Sequence, residues 1–282
     1  MALIVLTSAS GSPGVTTAAL GLALTWHRPV LLIEADPTGG SALLAGYFRG
    51  QTSPTQTLID LAFAHRAGAL AEAIPSVSMQ IPDTTVRMIA GTQSHGQARS
   101  LTSLWEPLAA HLKQLDTAGQ DVIVDAGRLG LTGAPEPLAN CADLCLLVTR
   151  TDLVALSGAL SWADSLRGGF EQQGAGSSVA LLTVGEGRPY RAREIAKVLQ
   201  LPVLASLAWD VEAAAVVSHG AERCCAGAEP GPTGRGGVAQ AGGCLGGTDP
   251  PVVQSQDQAT WNHDDARAPG VGDHADIAGL DA

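Results

Sequence analysis

Short apolar runs with no internal alternation recur along the first 207 residues, and they set the fold class. Leu3–Thr7, Val30–Ile33, Val86–Ile89, Val122–Val124, Leu144–Val148, Val179–Val184 and Val203–Leu207 each read as a strand, the first two as strands buried on both faces. Helical patterns lie between them at about 15–26, 57–74, 98–115 and 191–199. Strands alternating with helices predict an α/β fold: a doubly wound, mostly parallel sheet with helices on both faces. Ligands of such sheets sit at the carboxyl ends of the strands. Three strand ends here carry groups suited to phosphate or metal chemistry: the Ser8–Thr17 loop, Asp36 and Asp125.

Composition narrows the function classes. Hydrophobic residues are 45% of the 282, enough for a sizeable core, but aromatics are only 4%, so that core is aliphatic. The net charge is −11, and no basic stretch offers a face to nucleic acid, so direct binding to it is not expected. The five cysteines lack metal-ligand or disulfide spacing, which favours a reduced, cytoplasmic compartment. The N-terminus has no basic region ahead of its apolar run, so no signal peptide is expected. No apolar run reaches the length of a membrane span, and the acidic C-terminal region is expected to be repelled by anionic lipid.

The segment from Val5 to Thr17, VLTSASGSPGVTT, carries the strongest local signal. Gly11 and Gly14 let the backbone turn its amides inward onto an anion. A helix opening at Val15 adds the positive end of its dipole. The bland alternative is a glycine-rich strand-to-helix turn that binds nothing. The segment resembles the Walker A loop of the MinD/ParA family of P-loop ATPases, whose pattern is K-G-G-x-G-K-T-[ST]. Gly11, Gly14, Thr16 and Thr17 match it. The resemblance implies a nucleotide-phosphate site on Gly11, Ser12, Gly14, Val15, Thr16 and Thr17, with Thr16 a ligand to magnesium. The departures are Ser10 for the family's signature lysine, Val15 for the P-loop lysine, Ser12 for a glycine, and Pro13, which removes an amide donor. Each lost charge-assisted phosphate contact costs about 1.5–3 kcal/mol. ATP binding is therefore expected to be weak, and hydrolysis weak or absent.

The resemblance continues downstream. Glu34-Ala35-Asp36-Pro37-Thr38-Gly39 is similar to the family's switch I, which implies that Asp36 is linked to magnesium and the attacking water. Asp121-Val122-Ile123-Val124-Asp125-Ala126-Gly127 is similar to Walker B and switch II, one residue short before the glycine. That similarity makes Asp125 a magnesium residue and Gly127 a phosphate-sensing amide. Both segments are also ordinary strand-end turns with capping acids. No asparagine follows the strand at 179–184, where the family often reads adenine. The resemblance covers residues 1–219 and implies a positioning or partitioning role (chromosome, division or pilus-secretion machinery), a homodimer and a protein partner. A second reading stays open, an NAD(P)-dependent Rossmann oxidoreductase. Residues 9–14, ASGSPG, miss G-x-G-x-x-G by one residue, and Glu34 lies 20 residues after Gly14, where a ribose-binding acid belongs.

From 220 to 282 the character changes. This region holds 13 of the 34 glycines, and nine acidic residues against three basic ones. Such a composition cannot offset the chain entropy of ordering, so a disordered tail is expected. The abrupt change near residue 221 is also what a shifted reading frame would produce.

Overall fold

The computed structural model describes residues 3–10, 12–115 and 119–221. The expected tail, with its change of character near 221, lies outside the described residues.

Eight strands form one sheet: β1 Leu3–Ser8, β2 Val30–Glu34, β3 Met79–Gln80, β4 Val86–Ile89, β5 Asp121–Arg128, β6 Leu144–Arg150, β7 Val179–Val184 and β8 Val203–Leu207. Their order is β3-β4-β2-β5-β1-β6-β7-β8, and only the β3–β4 pair is antiparallel. The chain winds outward from β1 in one direction and then, through β6, in the other. The reversal puts a crevice at the carboxyl end of β1, where ligands of this architecture bind.

The expected burial on both faces holds for the central strands, whereas the edge strand β8 leaves Leu204 exposed. Leu3 and Val5 of β1 join one apolar layer, while Ile4 and Leu6 join the other. The first layer is covered by α2 Leu58–Arg66, α3 Leu70–Val77, α5 Trp105–Gln114, the short α6 Glu136–Asn140, α7 Leu153–Gln172 and α8 Ala192–Leu199. The second is covered by α1 Val15–Leu24, the π-helical turn Leu43–Tyr47 and α9 Val211–Ser218. The core is aliphatic apart from a few large rings such as Trp105 and Phe170. No helix among the described residues is long and apolar enough to cross a membrane.

Several elements differ from the sequence reading, which also lacks β3, the π-helical turn, α6 and α9. The 57–74 pattern is two helices, because Gly68 takes a positive φ and ends the first. The 98–115 pattern resolves into a short α4, His95–Ala98, a 3-10 turn and then α5. The 20-residue α7 has no counterpart among the expected helices. Its buried face is largely alanine (Ala155, Ala159, Ala163) and its exposed side carries Leu153 and Val154, so its apolar periodicity is blurred.

A buried carboxylate fixes the amino end of β5. Asp121 accepts hydrogen bonds from Trp26 Nε1 at 2.8 Å and Arg28 Nη1 at 3.1 Å. It ties the loop after α1 to the central strands. Asp121→Ala should lower unfolding free energy by about 1.5–3 kcal/mol, since donors to a charged group lose their acceptor. Urea denaturation followed by circular dichroism reads this out; an unchanged midpoint would show that water replaces the carboxylate without loss.

Candidate functional site

The loop after β1 is held from both sides. Ser8 pairs with Arg128 across the β1–β5 ladder, and Leu129 N–H donates to the Ser8 carbonyl at 2.8 Å. The hydroxyls of Thr7 and Ser8 donate to the carbonyl of Gly127 at 3.2 and 3.4 Å. Ser10 packs against the α-carbon of Gly158 in α7, a position with no room for a side chain. Gly11 lies outside the described residues. Ser12 stands exposed with φ +47°, a left-handed conformation unusual for serine. Gly14 closes the loop as N-cap of α1 with φ +94°, ψ +38°, and no side chain caps the helix. The first N–H groups of a helix have no intrahelical acceptor, so this end of α1 suits an anion.

Position 15 is as un-lysine-like as a residue can be: Val15 is only 7% exposed and packs among Leu6, Ala18 and Ala19 of the second layer. Thr16 instead faces the sheet, and its hydroxyl hydrogen-bonds Asp125. Asp125 also accepts from Gly127 N–H at 3.0 Å, so the amide read as a phosphate sensor is held by its own strand end. Gly127 has φ +60°, and a β-carbon there would overlap the Asp36 carboxyl group. Asp36 in turn accepts from Thr38 N–H at 2.8 Å. The fold therefore brings Thr16, Asp36, Asp125 and Gly127 to one place, at the ends of three neighbouring strands. Ser12 and Thr17 lie along the loop and first turn beside them.

A hydroxyl and two carboxylates form the oxygen-only donor set that suits magnesium. Among the described residues no three His, Cys, Asp or Glu side chains form a metal-holding group. A magnesium ion on Thr16, Asp36 and Asp125 would thus complete its shell with phosphate oxygens and water, as this ion does on P-loop proteins.

Burial dominates the electrostatics of these strand ends. Burial pushes the Asp125 carboxyl up to about 7, against the lowering effect of its bonds to Thr16 and Gly127; Asp36 and Glu34 add to the rise. Burial also raises Glu34 above the ordinary carboxylate range. Glu34 is 4% exposed and accepts from Ser41 Oγ at 2.6 Å, Leu43 N–H at 3.3 Å and Gly91 N–H at 3.4 Å. That corrects the oxidoreductase reading: the acid expected to meet a ribose of NAD is sealed inside, pinning the π-helical turn to the end of β4.

Arginines reach the rim. Arg128 Nε donates to the Ala9 carbonyl at 3.2 Å. Sequence reading passed over Arg128; its place directly after Gly127 was the available signal. Farther along, Arg150 stacks over Trp209 at 4.8 Å and pairs with Asp152 at 3.2 Å. They line a cleft of about 250 Å³ with Thr151, Gly185 and Arg188 at the ends of β6–β8.

Two expected outcomes follow from this geometry. Asp125 has a folded-state pKa above its unfolded one, so the folded chain holds the extra proton between about pH 4 and 7 and stability falls as pH rises through that window. With magnesium chelated, the chain should unfold at lower urea at pH 8 than at pH 5.5, and Asp125→Asn should flatten the difference; an equal pH slope in the variant would remove Asp125 as the cause. Gly14→Ala should cost about 1–2 kcal/mol, because the left-handed backbone penalises any β-carbon, although its nearest neighbour, the Thr17 Cβ, would be 3.9 Å away. A thermal-unfolding shift near zero would mean the loop reshapes freely.

No family model matches the sequence, and no curated protein matches it either. Solved structures do. McdA from Cyanothece, in its apo form, matches with a TM-score of 0.60 and 19% identity over 77% of this chain and 90% of its own. The septum site-determining protein MinD from Pyrococcus horikoshii, in complex with Mg-ADP, matches with a TM-score of 0.58 and 18% identity over 78% and 87%. A ParA family ATPase from Chlorobium tepidum matches with a TM-score of 0.57 and 16% identity over 77% and 91%. Together with the sheet order, the loop at the end of β1 and the residues gathered around it, these similarities establish that the chain has the fold of the MinD/ParA-type P-loop ATPases.

Proposed function

We propose that this chain is a MinD/ParA-like regulatory protein that binds a nucleotide with magnesium and hydrolyses it slowly or not at all. The observation that carries the reading is the convergence of Thr16, Asp36, Asp125 and Gly127 beside a helix start whose phosphate loop has no lysine. The metal-side residues are in place, while the charge that would stabilise a phosphoryl transition state from the loop is not. Bound nucleotide would then act by holding the Asp36 and Gly127 segments in one arrangement, and these segments would present the signal to a second copy of the chain or to a protein partner. The role suggested by MinD, McdA and ParA relatives is positioning or partitioning of a cellular structure.

The phosphates of a nucleotide would lie on the 12–17 turn, with magnesium on Thr16, Asp125 and Asp36. Magnesium would neutralise the neighbouring Asp36 and Asp125 carboxylates, so metal and nucleotide should bind together. The base would fall toward the Arg150–Trp209 cleft on the same rim, whose flat groups can stack on a ring. Asp36 is the residue proposed to orient a water, if turnover occurs.

Calorimetry with ATP, ADP and NAD, each with and without magnesium, tests the reading. Binding of ATP or ADP that needs magnesium supports it; binding of NAD alone, or of nothing, sinks it. Phosphate release should stay far below about 1 per second, an ordinary enzyme rate. Faster turnover abolished by Asp36→Ala would make the protein a working ATPase. Replacing Ser10 and Val15 by Lys together with Ser12→Gly should raise ATP affinity, with the unfolding midpoint followed in parallel because Val15 is buried.

A further inference from the structure

We propose that Arg128, on the switch II strand end, is the cation of the phosphate site and stands in for the lysines absent at positions 10 and 15. This inference rests on the nucleotide reading above and adds which residue of this chain recognises the polyphosphate.

Three observations carry it. The first is backbone placement. β5 does not stop at Asp125 but runs on to Arg128, which pairs with Ser8, the residue where the phosphate loop begins. The bonds from Thr7 and Ser8 to the Gly127 carbonyl, and from Leu129 N–H to Ser8, lock this extension onto the loop. The second is side-chain placement. Nε of Arg128 donates to the carbonyl of Ala9, so the guanidinium is tethered to the loop itself. Its residue is exposed, and among the described residues its two terminal amino groups have no hydrogen-bond or ion-pair partner. A planar fork fixed at one N–H and open at the others is suited to phosphate oxygens.

The third observation is charge balance. Three carboxyl groups, Glu34, Asp36 and Asp125, sit at the ends of neighbouring strands β2 and β5 or in the turn just after β2, and the loop itself carries no cation. A polyphosphate placed there without a nearby positive group would meet repulsion. Neither lysine of the chain relieves it: Lys113 pairs with Asp143, and Lys197 lies on α8. Arg150 is held by Asp152 and Trp209. Arg128 is the guanidinium that contacts the loop. Because it belongs to the switch II segment, phosphate contact through it would also tie that segment to nucleotide occupancy. The competing account is a solvated arginine that merely braces the loop through Ala9.

The test measures Mg-ATP, Mg-ADP and AMP binding to the full chain by calorimetry, for the parent, Arg128→Gln and Arg128→Lys. Arg128→Gln should weaken Mg-ATP binding about tenfold or more, the range of a lost charge-assisted phosphate contact, and AMP binding much less. Arg128→Lys should recover part of the loss. Brace-only behaviour would lower ATP and AMP affinity alike in Arg128→Gln, and that result overturns the proposal. So does unchanged ATP affinity in Arg128→Gln, which leaves the nucleotide reading standing. Should the parent bind no nucleotide at all, both the reading and this inference fall together. If Arg128→Gln unfolds at lower temperature than the parent, Arg128→Lys decides: retained ATP preference over AMP supports the charge role, and its loss ends it.

Discussion

The position of β1 governs everything at the functional rim. The strand is buried on both faces and paired on both edges, by β5 on one side and β6 on the other. A strand so enclosed cannot shift register without moving an apolar set out of its layer. The loop that follows it is therefore delivered to one point, and so are the ends of its neighbours. The Asp36 and Asp125 carboxylates and the Thr16 hydroxyl meet there because their elements have no freedom to be elsewhere. The hydrogen bonds from Thr7 and Ser8 to Gly127 extend that rigidity past the end of the sheet into the segment that carries Arg128.

Enclosure also sets the chemistry. The same burial that fixes the strand ends strips water from Asp125 and Glu34 and makes their ionised forms costly. Glu34 is compensated by three hydrogen bonds and becomes a structural pin between switch-like turn and sheet. Asp125 has only Thr16 and one amide to offset its burial. In a loop with a P-loop lysine, that lysine would share the electrostatic load. Here a buried valine occupies its place, and the guanidinium bonded to the loop, Arg128, comes from the neighbouring strand β5. On the proposed reading, the site would keep the metal-side groups of a phosphoryl-transfer centre while lacking the loop-side lysine.

Much of this was legible in the residues. Seven of the eight strands show as apolar runs, because a parallel strand covered by helices on both faces has no polar alternation to hide it. Asp36 and Asp125 could be singled out from strand-end position, and Thr16 from the resemblance of its loop to a Walker A segment. The helix α7 was not legible: alanines, serines and glycines at its buried and exposed positions leave little amphipathic contrast, and only packing against Ser10, Gly130 and the sheet defines its face. Glu34 misled for a related reason. Spacing places an acid at the end of the second strand, but only the fold tells whether that acid points to the crevice or into the protein.

The sequence by itself determined the alternating α/β pattern, the carboxyl-end location of the chemical groups and the absence of lysine from the phosphate loop, because these depend on local periodicity and residue identity. The tertiary structure alone decided which groups touch. It turned Val15 inward, joined Thr16 to Asp125, seated Asp36 on Gly127, sealed Glu34 behind Ser41 and laid Arg128 along the loop. Those contacts join residues up to 119 positions apart, and they are fixed by sheet order and register, which no local pattern specifies.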